Sequence, residues 1–195
     1  MNENILILGA GESGVGAAKL ALSLGYTPFV SDAGSGKSVF LAELDADGID
    51  YEVGGHNPGV WPMVKTVVKS PGIPEDTSVV EELRSGGAEV ISEIEFASRN
   101  YEGKVIAITG ANGKTTTTYL IYQLLKDAGI NASCVGNIGT SWAREMSESS
   151  QPSDVVVVET SSFQLDGTVS FKPDVAVLLN ITPDHLDRYG YSLEN

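Results

Sequence analysis

The sequence predicts an α/β protein built on two parallel β-sheets. Three observations lead to this prediction. Short apolar runs alternate with stretches of helical periodicity, as expected for successive β-α-β units. Two of these runs end in a glycine-rich turn that leads straight into a helix. A polar stretch at residues 98–103 separates one series of elements from the next, so we expect one domain over residues 1–98 and a second over residues 99–195.

The first domain is expected to open with a strand, a turn and a helix. Asn4–Leu8 is continuously apolar after its first residue, which favours a strand covered on both faces. Gly9–Gly14 is predicted as a turn, and Val15–Leu24 as a helix that ends at Gly25. The other predicted elements are strands over 27–31, 66–69 and 89–91 and a helix over 79–84.

The second domain repeats this alternation. Its first strand is predicted over Lys104–Thr109 and its first helix over Lys114–Asp127, which ends before Gly129. Further strands are predicted over 132–135, 154–159 and 174–180. Tyr189–Asn195 adds no closing element, so we expect the chain to stop inside its second domain.

Composition excludes several classes of function. The formal net charge of −14, with only 12 lysine and arginine residues, argues against a nucleic-acid-binding surface. A single cysteine, Cys134, cannot form an intramolecular disulfide, as is usual in a reducing compartment. Neither a signal peptide nor a run of about 18 uncharged apolar residues is found, so no membrane association and a cytoplasmic location are expected. We expect a monomer.

The most specific motif is Thr109–Thr116, TGANGKTT, which follows a predicted strand and opens a helix. Backbone N–H groups in such a loop surround phosphates, Lys114 can reach the terminal phosphates, and the Thr115 hydroxyl can bind Mg²⁺. The loop departs from the full P-loop pattern because Ile108 stands in place of the first glycine. The alternative is an ordinary turn with a surface lysine. The predicted triphosphate-binding residues are Gly110, Asn112, Gly113, Lys114, Thr115 and Thr116.

Two further motifs follow apolar strands of the second domain. Glu159 ends one strand, where a carboxylate faces the ligand crevice of a parallel sheet and can hold Mg²⁺. The alternative is a strand-terminal charge that faces solvent. His185, in the segment Asn180–Asp187, follows the next strand, and a metal or substrate role stands beside a structural or simply exposed histidine.

The first domain carries its own glycine turn. Gly9–Gly14 with Asp32 some twenty residues later matches the spacing of a dinucleotide-binding fingerprint. The turn can hold NAD, another nucleotide or nothing; we interpret it as a nucleotide site with Asp32 near a ribose or base. Ser70–Gly72 ends another strand and either lines the same crevice or forms a plain turn. His56 is interpreted as a solvated loop histidine, and Trp61 and Trp142 as packing residues.

Together these motifs resemble the Mur ligase family, a family of ATP-dependent amide ligases. The resemblance implies a Rossmann-like first domain and a partial P-loop-type ATPase second domain. The SPGI and SSFQL stretches resemble in particular the member that adds D-glutamate. The stretches that carry the resemblance are Ile108–Thr117, Gly136–Gly139, Glu159–Asp166, Asn180–Gly190 and Ser70–Ile73.

The resemblance implies a reaction and its participants. ATP phosphorylates the carboxylate of UDP-N-acetylmuramoyl-L-alanine, the amine of D-glutamate attacks the acyl phosphate, and amide, ADP and phosphate are released. Lys114 and Thr115 would hold the β/γ-phosphates and Mg²⁺, Glu159 would support this metal, and His185 would help bind a second Mg²⁺. The residues implied to contact the substrate are Asn137 and Ser161, with Glu12, Ser13, Asp32, Ser70, Pro71 and Gly72 at the UDP end.

Three alternatives remain at this point. An NAD-dependent oxidoreductase would use only the Gly9–Gly14 turn, and a non-catalytic nucleotide-binding module would bind ATP but no muramoyl compound. A related ligase for another amino acid is the third. Because the family's amino-acid-binding C-terminal domain and its carbamate-bearing lysine are absent from these 195 residues, we expect the polypeptide to bind the UDP substrate but to turn over poorly or not at all.

Overall fold

The first sheet has five parallel strands in the order β3-β2-β1-β4-β5. The computed structural model describes residues 3–183. The elements of this sheet are β1 (Asn4–Leu8), α1 (Glu12–Ser23), β2 (Thr27–Asp32), α2 (Ser38–Asp47), β3 (Asp50–Val53), a 3₁₀ turn (Pro58–Val60), β4 (Thr66–Lys69), α3 (Ser78–Ser85) and β5 (Glu89–Ser92).

The second sheet has four parallel strands in the order β7-β8-β6-β9. The elements that follow β5 are α4 (Glu93–Arg99), β6 (Lys104–Thr109), α5 (Lys114–Asp127), β7 (Ala132–Gly136), α6 (Trp142–Glu148), β8 (Val155–Glu159), α7 (Ser162–Leu165) and β9 (Val175–Leu178). The α/β class with parallel sheets is therefore confirmed.

Each sheet reverses the direction of its strand order once. From β1 the chain builds outward through β2 and β3, and then returns to add β4 and β5 on the other side. In the second sheet, β6 lies between β8 and β9 in the same way. Crevices for ligands form at such reversal points, outside the carboxyl ends of the strands. The turns that follow β1 and β6 are the two glycine-rich motifs.

The two sheets share a hydrophobic core at their junction. Helix α6 of the second series packs against α1 so closely that a Cβ on Gly16 would lie 2.3 Å from the Ser141 Oγ. Trp142 is 1% exposed and makes edge-to-face contacts with Tyr101 and Phe171, which confirms its predicted packing role. Apolar residues of both series belong to one buried cluster. Within residues 3–183, no helix has the length and apolar character needed to cross a bilayer.

Several elements differ from the sequence-based prediction. Helix α1 begins at Glu12, so the predicted turn Gly9–Gly14 was too long; two glycines lie in the first turns of the helix, where tertiary packing overrides their low helix propensity. Helices α2, α4, α6 and α7 and strand β3 were not predicted. Helix α4 starts directly after β5 without a loop, and Ser92 caps it by accepting a hydrogen bond from the Glu95 N–H. Strand β9 is shorter than predicted.

Candidate functional site

A polar cavity of about 340 Å³ lies at the carboxyl edge of the second sheet. The loop between β6 and α5 forms one side, and the ends of β7 and β8 form the other. Its lining residues are Ala111, Asn112, Gly113, Lys114, Thr115, Thr116, Asn137, Ile138 and Glu159. The structure therefore brings together the predicted triphosphate loop, apart from Gly110, with the predicted strand-end carboxylate and Asn137.

Glu159 is the buried acidic group of this cavity. It is 1% exposed, so the alternative of a solvent-facing charge does not hold. Its Oε2 accepts a hydrogen bond from the Thr115 hydroxyl at 2.8 Å, and its Oε1 accepts one from the Asn137 side-chain amide at 3.1 Å. The backbone of Glu159 also lies very close to Gly136 at the end of β7. Only a glycine fits there, because a Cβ at this position would lie 2.2 Å from the Glu159 carbonyl oxygen. A carboxylate and a hydroxyl are oxygen ligands of the kind that Mg²⁺ prefers.

Lys114 points back over its own loop. Its ammonium group donates to the Gly110 carbonyl at 2.7 Å and to the Ala111 carbonyl at 3.1 Å. Ile108, which occupies the place of the missing first glycine, is fully buried in β6 and pairs with β8 and β9. An apolar side chain suits that position because it belongs to the sheet, while the loop proper starts at Gly110.

The segment after β9 closes one side of the loop. Asn180 accepts a hydrogen bond from the Asn112 N–H at its side-chain oxygen and donates its amide N–H to the Asn112 carbonyl, both at 2.9 Å. Asn180 was not predicted as a site residue, although it is the first residue of the motif Asn180–Gly190. His185, the predicted second metal ligand, lies outside the described residues. Within residues 3–183, no three His, Cys, Asp or Glu side chains converge on a common metal position.

Ser161 lies two residues beyond Glu159, at the start of α7. Its hydroxyl accepts a hydrogen bond from the Gln164 N–H, and the Gln164 side chain accepts one from the Ser161 N–H, which together form a capping box. The structure thus gives Ser161 a local role in starting α7. Its contact with substrate stays a prediction.

A larger cavity of about 610 Å³ lies at the carboxyl edge of the first sheet. The turns after β1, β2 and β4 meet there with the amino-terminal end of α3. Its lining residues are Gly9, Gly11, Asp32, Ala33, His56, Pro58, Ser70, Gly72, Ile73, Pro74, Thr77, Ser78, Val79 and Glu82. Asp32, Ser70 and Gly72 were predicted for this site, and Pro71 stands between two lining residues.

The Asp32 carboxylate joins two turns of this cavity. Its Oδ2 accepts a hydrogen bond from the Ala10 N–H at 2.6 Å, and its Oδ1 accepts one from the Gly34 N–H at 2.7 Å. Both donors are backbone groups, so the carboxylate fixes the glycine turn relative to the end of β2. Further lone pairs of the two oxygens remain to accept hydrogen bonds from a ligand.

An ion pair between a buried lysine and a half-buried glutamate supports the turn after β4. Lys69 is 3% exposed; its ammonium group donates to the Ile73 carbonyl at 2.6 Å and lies 2.9 Å from the Glu75 carboxylate. Burial alone would raise the pKa of Glu75, but the bonds from Lys69 and Arg84 outweigh burial and lower it. The Ser70 hydroxyl on this turn is buried and has no hydrogen-bond partner among residues 3–183.

Glu12 lies at the junction of the two sheets instead of in the first cavity. Its Oε1 accepts hydrogen bonds from the Ser141 N–H at 3.0 Å and from the Arg144 Nε at 2.8 Å. Because α1 begins at Glu12, this side chain projects from the first helical turn towards α6. Ser13 follows it, half-buried, in the same turn. The resemblance implies that both residues lie at the UDP end, whereas the Glu12 side chain contacts α6. The role of Ser13 stays a prediction.

His56 is a cavity residue that sequence reasoning missed. It is half-buried, lines the first cavity and lies 2.7 Å, through Nδ1, from the Ser31 Oγ, so its interpretation as a solvated loop histidine was wrong. The signal that would have found it is β3, which was not predicted. With β3 recognised, His56 follows a strand of the parallel sheet and falls on its carboxyl edge.

The chain is similar to known proteins over almost its whole length. Residues 3–92 match the family model of the Mur ligase MurD-like N-terminal domain, and residues 108–195 match that of the Mur ligase middle domain. The chain is 53% identical over 197 aligned residues to the UDP-N-acetylmuramoylalanine–D-glutamate ligase of Cytophaga hutchinsonii, and 50% identical over 193 residues to that of Bacteroides fragilis. These alignments cover 100% and 99% of this chain and 43% of each relative.

Among solved structures, the fold is similar to that of a UDP-N-acetylmuramate:L-alanyl-γ-D-glutamyl-meso-diaminopimelate ligase from Neisseria meningitides. The TM-score is 0.65 at 23% identity, with 97% of this chain and 64% of that one covered. Two consecutive family models thus account for most of the chain, in the order of the two sheets. The chain belongs to the Mur ligase family, of which it carries the N-terminal domain and residues of the middle domain.

Proposed function

We propose that this chain belongs to an ATP-dependent ligase that adds D-glutamate to UDP-N-acetylmuramoyl-L-alanine during the synthesis of peptidoglycan precursors. One observation carries the proposal: the buried Glu159 carboxylate accepts a hydrogen bond from the Thr115 hydroxyl, in the same cavity as Lys114 of the glycine-rich loop. The choice of D-glutamate is supported by the names of relatives that are 50–53% identical.

The second cavity is suited to phosphoryl transfer. Backbone N–H groups of the loop and the start of α5 favour the negative charge of a triphosphate. Lys114 exchanges its two carbonyl partners for phosphate oxygens, and Glu159 and Thr115 supply oxygen ligands for Mg²⁺. A Mg²⁺ ion held there would supply charge neutralisation for the transfer of the phosphate to the substrate carboxylate. Asn137 orients Glu159 and lines the same cavity, which supports its proposed position near the substrate carboxylate.

The first cavity is suited to the UDP end of the substrate. The N-terminal ends of α1 and α3 border it, and helix N-termini favour phosphate groups. Asp32 lies beside the glycine turn, in the position from which a strand-end carboxylate contacts ribose.

Phosphoryl transfer at the second cavity converts the substrate carboxylate into an acyl phosphate. The amine nucleophile attacks this acyl phosphate, and the tetrahedral intermediate releases phosphate.

The 195-residue polypeptide by itself is proposed to bind UDP-N-acetylmuramoyl-L-alanine without efficient turnover. It spans 43% of the length of the relatives named above. Phosphate release that requires both ATP and D-glutamate, measured on this polypeptide alone, would contradict this part of the proposal.

Calorimetric titration tests the proposal. We expect binding of UDP-N-acetylmuramoyl-L-alanine, weaker binding of UDP, and no binding of NADH. The Asp32→Asn variant should bind both uridine compounds less tightly, since the amide must present a donor to one of its two N–H partners. The matched control is Asp50→Asn. Asp50 is exposed at the N-terminal end of β3, away from the cavity at the carboxyl edge, so this variant should bind as the wild type does.

The titration also separates the alternatives. Tight NADH binding with no affinity for the uridine compounds would favour an oxidoreductase. Binding of ATP without any affinity for the muramoyl compound would favour a non-catalytic nucleotide-binding module. Either result would overturn the proposed ligase.

A further inference from the structure

A chain of hydrogen bonds runs beneath the first cavity. The Ser31 hydroxyl, which is fully buried, lies 2.7 Å from the Glu52 Oε1 and 2.7 Å from the His56 Nδ1. The same Glu52 oxygen also accepts hydrogen bonds from the Asn57 N–H at 3.0 Å and from the Trp61 indole N–H at 2.5 Å. Three donors therefore converge on one carboxylate oxygen.

These contacts determine where the single hydroxyl proton of Ser31 points. Burial alone would raise the pKa of Glu52, but the hydrogen bonds that it accepts, together with the electrostatic attraction of His56, outweigh burial and lower it, so the carboxylate is ionised at neutral pH. An ionised carboxylate only accepts hydrogen bonds, so Ser31 must donate its proton to Glu52. The Ser31 oxygen is then an acceptor towards His56, and the Nδ1 of His56 must carry the donated proton.

A neutral histidine with its proton on Nδ1 has an acceptor lone pair on Nε2. Within residues 3–183, Nε2 has no hydrogen-bond partner, whereas the His56 ring lines the first cavity and packs edge-to-face against Trp61. Ser31 and Glu52 are thus committed to each other and to Nδ1, and the neutral form of His56 presents Nε2 to a ligand as an open acceptor.

The order of the strands indicates which part of a nucleotide this acceptor meets. Along the carboxyl edge, the ends of β1, β2 and β3 follow one another, and they carry the glycine turn, Asp32 and His56 in that order. With the diphosphate at the glycine turn and the ribose near Asp32, the nucleoside extends towards His56.

We propose that His56 is a ligand-binding residue that recognises a hydrogen-bond donor of the nucleoside, either the imide N–H of the base or a ribose hydroxyl, through an Nε2 acceptor fixed by Ser31 and Glu52. This inference rests on the proposed function in that the ligand is a uridine diphosphate. It assigns to Ser31 and Glu52 the role of positioning residues, which orient the imidazole from outside the cavity.

The tautomer is measured directly by ¹⁵N NMR of the histidine rings in the free protein. The chain has only two histidines, so a His185→Asn variant assigns both ring systems. We expect His56 with the proton on Nδ1 and a bare Nε2. A Ser31→Ala variant should lose this preference while remaining folded. A free protein with the proton on Nε2 would overturn the inference without affecting the proposed ligase.

Binding of UDP analogues identifies the recognised donor. The loss of one hydrogen bond is expected to weaken binding by about tenfold. For the wild type, this loss should appear with either 3-methyl-UDP, which lacks the imide N–H, or 2′- or 3′-deoxy-UDP, which lack a ribose hydroxyl. The analogue that binds more weakly identifies which group, the imide N–H or a ribose hydroxyl, donates the hydrogen bond to His56. Equal binding of all analogues would contradict the inference.

Two variants of His56 separate recognition from a structural role. His56→Asn retains a donor towards Ser31 but has no acceptor in the place of Nε2, so it should bind UDP about tenfold more weakly and no longer discriminate against the affected analogue. His56→Gln can place its side-chain oxygen near the position of Nε2 and should recover part of the discrimination. Discrimination that persists in His56→Asn would overturn the inference, and a wild type that binds no UDP would overturn the proposed function as well.

Discussion

The two cavities have the same position in their sheets and are held together by different kinds of contact. In the first, the Asp32 carboxylate accepts its hydrogen bonds from backbone N–H groups. In the second, the Glu159 carboxylate accepts them from two side chains, a hydroxyl and an amide, and Lys114 bonds to its own loop. Backbone contacts stay in place when a ligand binds, whereas side-chain contacts can be exchanged for metal or phosphate.

This difference shows how one chain prepares two sites for different tasks. The first cavity is set before its ligand arrives, which suits a group that must only be held and recognised. In the second cavity, Lys114, Thr115 and Glu159 are held by internal contacts, which the proposed triphosphate and metal would replace. Substitutions that affect one cavity and leave the other intact test this difference.

The backbone of the first cavity is most sensitive at Gly14. A Cβ there would lie 1.8 Å from the Gly9 carbonyl oxygen, so the turn and α1 cannot keep their present distance. We expect Gly14→Ala to lower the free energy of unfolding by about 3 kcal/mol and to abolish UDP binding, as measured by thermal unfolding and calorimetry. Gly11→Ala is the control: no atom lies within 4 Å of its added Cβ, and the cost should be below about 1 kcal/mol.

The side chains of the second cavity are tested by Lys114→Met. Losing the ammonium group should weaken the binding of Mg²⁺-ATP by about 30-fold, because a hydrogen bond to a charged group contributes about 2 kcal/mol. Binding of UDP should not change. Lys126→Met, an exposed position in the last turn of the same helix, is the control and should bind both nucleotides normally. A parallel loss of UDP binding in Lys114→Met would show that the two cavities are not independent.

The junction between the two sheets contributes a pH-dependent term to stability. Glu93 is 2% exposed, accepts a hydrogen bond from the Ala143 N–H at 2.6 Å and has one buried oxygen without a partner among residues 3–183. Burial raises the pKa of Glu93 from 4.5 to about 7. Between these values the folded protein holds a proton that the unfolded chain has lost, so stability falls as pH rises.

We expect the wild type to lose about 1 kcal/mol of unfolding free energy per pH unit between pH 5 and pH 7 through this group. Urea unfolding at pH 5, 6 and 7 should show this slope, and Glu93→Gln should remove it. Equal slopes in the two proteins would contradict the assignment. Glu95, two residues away, has the opposite behaviour. Hydrogen bonds from the Ser170 hydroxyl, from the backbone N–H groups of 169 and 170 and from Arg99 outweigh its burial and lower its pKa to about 2, so its contribution to stability is lost only as pH falls below 4.5.

The sequence predicted correctly those elements that are specified by residues adjacent to one another in the chain. Strand β1 and strand β6 are apolar runs followed by glycine turns, and both have the bounds that the sequence predicts. Helix α2 follows a stretch rich in glycine and serine, strand β3 has only four residues, and both carry little apolar periodicity. Their position depends on pairing with β2 and on packing against α1, which no local pattern records.

The same division applies to individual site residues. Glu159 was predicted because it ends an apolar strand, and its burial agrees with a role in the cavity. Glu12 was expected at the UDP end, but Arg144, 132 positions later in the chain, determines where its carboxylate lies. His56 was missed because its partner Ser31 belongs to another strand, 25 positions earlier. Contacts between distant segments have no signature in either segment alone.

By itself, the sequence determined the α/β class, the two glycine turns, the strand-end position of Glu159 and the family. Each of these depends on residues that are close together in the chain, where hydrogen-bonding needs and apolar periodicity act locally. The tertiary structure decided which strands neighbour each other, and therefore which strand ends share a cavity. It placed Glu12 at the junction and His56 in the first cavity, because strand order is fixed by packing across the whole chain and not by any single segment.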